Sequence, residues 1–139
     1  MHVHNLAMAA AATALLGSSA MAAGNLAFQD QIDVTLELAG SCSPAQLTFE
    51  TGKLYNLTIV NSTNDELDFE ARGFSDRIFT RKIQVWDSDG GKVVEIKGHI
   101  TEMEILGGRS VEWWFVPVQT TRSPIEVECA SGEAEFVIQ

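Results

Sequence analysis

The sequence predicts an all-β fold, an antiparallel Greek-key β-sandwich, on three observations. Apolar residues alternate with polar ones along almost the whole chain, Gly-, Asn- and Pro-containing turns separate the alternating runs, and no stretch beyond residue 30 carries a sustained helical stripe. Roughly ten short strands separated by turns fit a sandwich or barrel.

The strands follow in order. Ile32, Val34, Leu36 and Leu38 alternate with Asp33, Thr35 and Glu37, the pattern of a half-buried strand. Cys42-Ser43-Pro44 breaks the run, and Leu47 and Phe49 resume it up to a hairpin turn expected at Thr51-Gly52-Lys53. Tyr55, Leu57 and Ile59 form the next strand, and 61–66 reads as a polar loop. Leu67, Phe69 and Ala71 alternate with Asp68 and Glu70, and 72–76 reads as another loop. A strand over 78–86 meets the turn Asp87-Ser88-Asp89-Gly90-Gly91, and Val93, Val94 and Ile96 lead on to Gly98. A further strand is expected over His99–Leu106, then a turn at Gly107-Gly108, then Val111, Trp113 and Phe115. Residues 117–124 form a loop, 125–129 a strand, and Ala130-Ser131-Gly132 a tight connection to Phe136-Val137-Ile138. The expected core is aromatic: Phe49, Tyr55, Phe69, Trp113, Phe115 and Phe136.

The N-terminus reads as an export signal spanning 1–22. Leu6 to Gly17 is apolar and Ala-rich, too short to span a bilayer, and Ala20-Met21-Ala22 offers a small-x-small cleavage site. The stretch before it holds His2 and His4 but no Lys or Arg. Residues 23–139 are then one domain, expected in the periplasm. No later segment approaches the ~20 apolar residues of a membrane helix, so no membrane insertion is expected after cleavage.

With 19 acidic residues against 9 basic ones, the net charge is −10. Phosphate attraction needs a basic face, so a nucleic-acid partner is excluded. A metal ion or a basic protein surface is compatible, as is a charge that serves solubility alone. The two cysteines, Cys42 and Cys129, would meet an oxidising compartment after export, where such a pair becomes a disulfide. The same sulfurs, if reduced, are soft metal ligands instead.

Several residues suggest chemistry, each with a plainer alternative. Asp68 and Glu70 are two apart on a strand and share a side, so they are either paired hard ligands or a solvated outer face. His99 and Met103, four apart on the expected strand, are either a weak copper pair or ordinary surface residues. Trp113 and Trp114 are adjacent, so one points away from the core; an exposed Trp114 would be an interface anchor or a lid on an edge. Asp87-Ser88-Asp89-Gly90 lacks the later ligands of a calcium loop and reads as a turn. Asn56 and Asn61 begin glycosylation sequons that read as chance matches. No nucleophile–base arrangement is visible, so no enzymatic activity is expected.

Cys42-x-Pro44, Gly52-Lys53, a strand ending Ile59-Val60-Asn61, Gly107-Gly108 before a strand ending in Phe115, and a lone cysteine before a last short strand together resemble a cupredoxin. Blue-copper members hold copper with two histidines, a thiolate and a weak axial methionine. No histidine stands near Leu67 or Asp68, and 130–139 contains neither His nor Met, so that site cannot be assembled. Cys42-x-Pro44, Leu67-Asp68-Phe69-Glu70 and Cys129 resemble more closely the EfeO-type cupredoxin-like domain of periplasmic iron transport. That resemblance implies that Cys42, Asp68, Glu70 and Cys129 lie near one another at one end of the sandwich. It further implies a copper or iron ion as cofactor and a membrane metal transporter or other periplasmic protein as partner. The alternative is a metal-free interaction module stapled by the disulfide.

Overall fold

The computed structural model describes residues 29–139; the expected export signal over 1–22 lies outside them. Eleven strands form two sheets among the described residues. In chain order they are β1 (Ile32–Leu38), β2 (Cys42–Ser43), β3 (Gln46–Phe49), β4 (Tyr55–Asn61), β5 (Leu67–Glu70), β6 (Ile78–Trp86), β7 (Lys92–Ile96), β8 (Glu102–Ile105), β9 (Ser110–Pro117), β10 (Ile125–Cys129) and β11 (Gly132–Ile138), with one helical turn, α1 (Arg72–Ser75), between β5 and β6. The six-stranded sheet runs β2-β1-β4-β9-β6-β7 and the five-stranded sheet β3-β11-β10-β5-β8. The expected β-sandwich is therefore present.

Most neighbours pair antiparallel, but β1 with β4 and β3 with β11 pair parallel. Alternation reads the same in both cases, because side chains change face at every residue whichever way the neighbour runs. Thr51-Gly52-Lys53 does not close a hairpin. It carries the chain from β3 in one sheet to β4 in the other, with the Thr51 and Gly52 amides donating to Gln139 O and Pro117 O. Gly52 has φ +77°, a left-handed conformation that glycine accommodates without strain. The hairpin between β6 and β7 does turn at Asp87–Gly91, where the Asp87 amide donates to Gly91 O.

The core lies between the sheets. Phe49, Phe69, Trp113, Phe115 and Phe136 have no exposed surface, and Tyr55 is buried beside them. Phe74 joins them from α1, where a loop was expected. Its ring packs 5.0–5.2 Å from Phe49, Phe115 and Phe136, each centroid to centroid. Two of these contacts are edge-to-face, the arrangement that puts a positive ring edge against a negative face. The turn is too short to show a helical period, so alternation could not reveal it. Asn61, read both as the first residue of a polar loop and as the end of a strand, ends β4 fully buried. Its amide donates to Asp65 O and Ile105 O at 2.7 Å, and its carbonyl accepts from the Thr63 amide and hydroxyl. Asn56 and Asn61 are both buried, as chance sequons would be.

The expected strand over His99–Leu106 is shorter, Glu102–Ile105. Residues 97–101 cross instead from β7, an edge of one sheet, to β8, an edge of the other.

Candidate functional site

Cys42 on β2 and Cys129 on β10 form a disulfide that ties the six-stranded sheet to the five-stranded one. Both residues are buried, Cys129 completely. Burial of this kind places the sulfurs in the apolar layer with Leu38, Phe69 and Phe136.

The carboxylates of Asp68 and Glu70 stand on the other side of the sheet. β5 carries Phe69 inward with no exposed surface, so its neighbours in sequence point outward, and Glu70 lies opposite Glu128 on β10. The strand pairing does bring the elements carrying Cys129 and Asp68-Glu70 together, since Cys129 lies opposite Phe69. The side chains, however, leave opposite faces, and the disulfide takes up both thiols. The four residues therefore do not converge on one ion. This sidedness was readable in the alternation: Cys129 is in phase with Val127, which is buried, whereas Asp68 and Glu70 flank Phe69.

His99 and Met103 do not share a face. His99 lies in the crossover before β8, more than half exposed, with Nε2 3.5 Å from Asp76 Oδ1. Met103 lies on β8 opposite Phe69 and packs against the core. The crossover breaks the alternation on which their shared side depended. Among the described residues no group of three or more His, Cys, Asp or Glu side chains is arranged to hold a metal ion. The residues do not fit a type 1 copper centre, which needs two imidazoles and a free thiolate. In the described chain His99 is the sole histidine, and both sulfurs are bonded to each other.

Trp114 does face outward from the six-stranded sheet, but it is not exposed: only 8% of its surface is open to solvent. Lys82 lies across it with Nζ 3.8 Å from the ring centroid, and the indole N–H donates to Gln31 Oε1. The cation and the side-chain amide cover a ring that adjacency to Trp113 alone would leave bare. Elsewhere on that outer face, the Gln84 amide donates to Glu95 at 2.6 Å. That hydrogen bond, aided by Lys92 and Lys97, holds the Glu95 carboxyl below its ordinary value against the opposing effect of desolvation.

The strand register assembles what single runs of sequence do not show. Glu133, Glu128, Glu70 and Glu102 lie directly opposite one another on four successive strands, β11, β10, β5 and β8. Glu135 faces Glu126 in one flanking row, and Asp68 faces Glu104 in the other. All eight carboxylates share the outer face of the five-stranded sheet, because opposed residues point the same way and residues two apart repeat it. None of the five strands contains a lysine or arginine. Arg72, just beyond β5, reaches Glu70 at 3.5 Å while itself 65% exposed, a contact too solvated to neutralise the row.

No protein-family model matches the chain, and no curated protein matches its sequence. Solved structures do match. Lac15 from a marine microbial metagenome superposes with TM-score 0.51 at 14% identity, over 78% of this chain and 27% of Lac15. The chain thus spans about a quarter of that protein's length. Auracyanin A, a blue copper protein from the green thermophilic photosynthetic bacterium Chloroflexus aurantiacus, matches with TM-score 0.49 at 11% identity, over 79% of this chain and 100% of its own. Fet3p, a multicopper oxidase that functions in iron import, gives TM-score 0.49 at 11% identity, over 79% of this chain and 28% of its own. At such identities the likeness is one of fold, and the fold of this chain is the cupredoxin-like β-sandwich.

Proposed function

We propose that this chain is a non-catalytic interaction module of the periplasm, stapled by its disulfide, which presents the acidic face of the five-stranded sheet to a basic protein partner. One observation carries the reading: four glutamates stand in register across β11, β10, β5 and β8, with two further acidic rows beside them. Like charges directly opposite on neighbouring strands destabilise a sheet. A face that keeps them without a single lysine or arginine in its strands stores repulsion that a cationic surface relieves. Complementary potentials of this kind raise association rates and select partners by sign. The apolar leader over 1–22 and the Cys42–Cys129 disulfide support an oxidising compartment.

The second reading is a metal-handling protein in which Asp68 and Glu70 offer a copper or iron ion to a membrane transporter. The shared side of β5 that these two carboxylates occupy favours it.

One experiment separates the two. Purified protein is titrated with a lysine- and arginine-rich peptide, and separately with Cu(II) and Fe(III), alongside Glu70→Lys/Glu128→Lys and Asp68→Ala/Glu70→Ala. The first reading expects salt-sensitive peptide binding that charge reversal abolishes. Saturable stoichiometric metal binding lost in the alanine variant, with no peptide binding, overturns it in favour of the second.

A further inference from the structure

Arg77, which joins α1 to β6, and the loop over 118–124, which joins β9 to β10, border a cleft of about 380 Å³. Small-molecule pockets run from roughly 300 to 1,000 Å³. β10 starts at this cleft with Ile125 and ends at Cys129, so the cleft lies at the end of the sandwich away from the disulfide. Arg77 and Arg122 line it together with Gln119, Thr120, Ser123 and Pro124, and no carboxylate does.

The backbone holds both arginines against this cleft. The amides of Val118 and Gln119 donate to Arg77 O at 2.9 and 3.3 Å. The Thr121 amide donates to Ile138 O at 2.8 Å, and its hydroxyl accepts from the Ile138 amide at 3.1 Å. The loop is thus pinned on both sides of Thr120, immediately before Arg122. Arg77 Nη1 donates to Gly73 O at 2.7 Å, which orients the guanidinium, while its Nε is buried with no acceptor.

Charge decides what the cleft takes. Of the nine basic residues, Arg72, Lys92, Lys97 and Arg109 pair with carboxylates. Arg77 and Arg122 pair with none among the described residues, although the chain carries 19 acidic side chains. A guanidinium partly withdrawn from water without a counter-charge keeps a desolvation cost that a bound anion offsets. Its planar fork matches the paired oxygens of a carboxylate or a phosphate. We propose that this cleft binds a small organic dianion, a dicarboxylate or a phosphate monoester, whose charges Arg77 and Arg122 neutralise and whose polar groups meet Gln119, Thr120 and Ser123. None of the eight aligned carboxylates lines the cleft, so this site stands or falls independently of the partner proposed above.

The test is isothermal titration calorimetry of the purified protein at neutral pH and about 20 mM salt, where exposed charges are only weakly screened. Succinate, glycerol 1-phosphate and inorganic phosphate are the probes. The expected result is saturable one-to-one binding of succinate or of glycerol 1-phosphate, against a net charge of −10 that repels free anions. Which of the two binds identifies the ligand class. Arg122→Gln and Arg77→Lys should each weaken that binding about tenfold or more, the second because it keeps the charge and loses the fork. Lys53→Gln removes another cation without an ion pair, outside the cleft, and should change it by less than about twofold. Circular dichroism checks folding, and Arg122 is exposed, so Arg122→Gln carries the test if Arg77→Lys does not fold. Saturable binding of neither organic probe overturns the proposal. So does inorganic phosphate binding as tightly as both, which makes the cleft a site for a bare ion. Binding that Arg122→Gln leaves unchanged, or that Lys53→Gln weakens equally, overturns it too.

Discussion

Breaking the bond between Cys42 and Cys129 is expected to remove a large share of the protein's stability. The two positions are 87 residues apart, and closing a loop of that length restricts the unfolded chain by about 4–5 kcal/mol on the chain-entropy model. Small domains have only about 5–15 kcal/mol in total, so the reduced protein should retain at most a modest margin. For a chain of this size the loss corresponds to a fall in thermal midpoint on the order of 15 °C. Urea unfolding of oxidised protein, reduced protein and the Cys42→Ala/Cys129→Ala variant separates the causes. Reduction leaves both sulfurs to fill the core, whereas the alanines also remove buried atoms, so the variant should be weaker still by about 1 kcal/mol. The slope with denaturant should rise in both, because an unlinked unfolded chain exposes more surface. Oxidised and reduced protein with thermal midpoints within about 2 °C of each other would refute the reasoning, since the loop restriction could then contribute almost nothing.

Four further outcomes follow. Phe74→Ala should cost about 3–5 kcal/mol in urea unfolding, because it empties the point where Phe49, Phe115, Phe136 and Trp113 meet. Gly107→Ala should destabilise by about 1–3 kcal/mol in the same measurement, since its Cβ would lie 2.6 Å from the Asn64 carbonyl oxygen. The thermal midpoint should rise with sodium chloride as the acidic rows are screened, and Glu70→Gln/Glu128→Gln should flatten that rise. The Glu95 carboxyl, followed by NMR, should titrate below the ordinary glutamate range and move upward in Gln84→Leu. Its folded value is depressed, so its contribution is present above the ordinary carboxylate range and is lost as pH falls through the folded value.

The strands were legible because a face packed against a core forces apolar residues to alternate, and Ile32–Leu38 and Leu67–Glu70 show it plainly. The aromatic core was legible for the same reason, except Phe74, which a single helical turn delivers without any period to read. The pairing of Cys42 with Cys129 followed from there being only two cysteines in the chain. What alternation does not carry is which strand neighbours which. The parallel partners of β1 and β3, the crossovers at 50–54 and 97–101, and the glutamates aligned across four strands all depend on long-range register. Lys82 over Trp114 belongs to the same class, since the cover comes from a strand far away in sequence. The four-residue cluster that the resemblance implied does not converge for a reason that is local: Phe69 and Val127 point into the core, so parity places the sulfurs inside and the carboxylates of Asp68 and Glu70 outside.

The parallel pairing of β3 with β11 joins Gln46 to Glu135 across 89 residues. Contacts so remote in sequence are reached slowly, because loop-closure entropy is lost before the pairing compensates it. With the Cys42–Cys129 link intact, the shortest path between those strands runs through the sulfurs and shrinks to about ten residues, which lowers the closure cost by about 2 kcal/mol. Oxidised protein diluted from denaturant should therefore regain its sheets more than tenfold faster than reduced protein. The bond thus acts on the tempo of assembly as well as on its endpoint, and a molecule that acquires it early begins its search with the most distant strands already side by side.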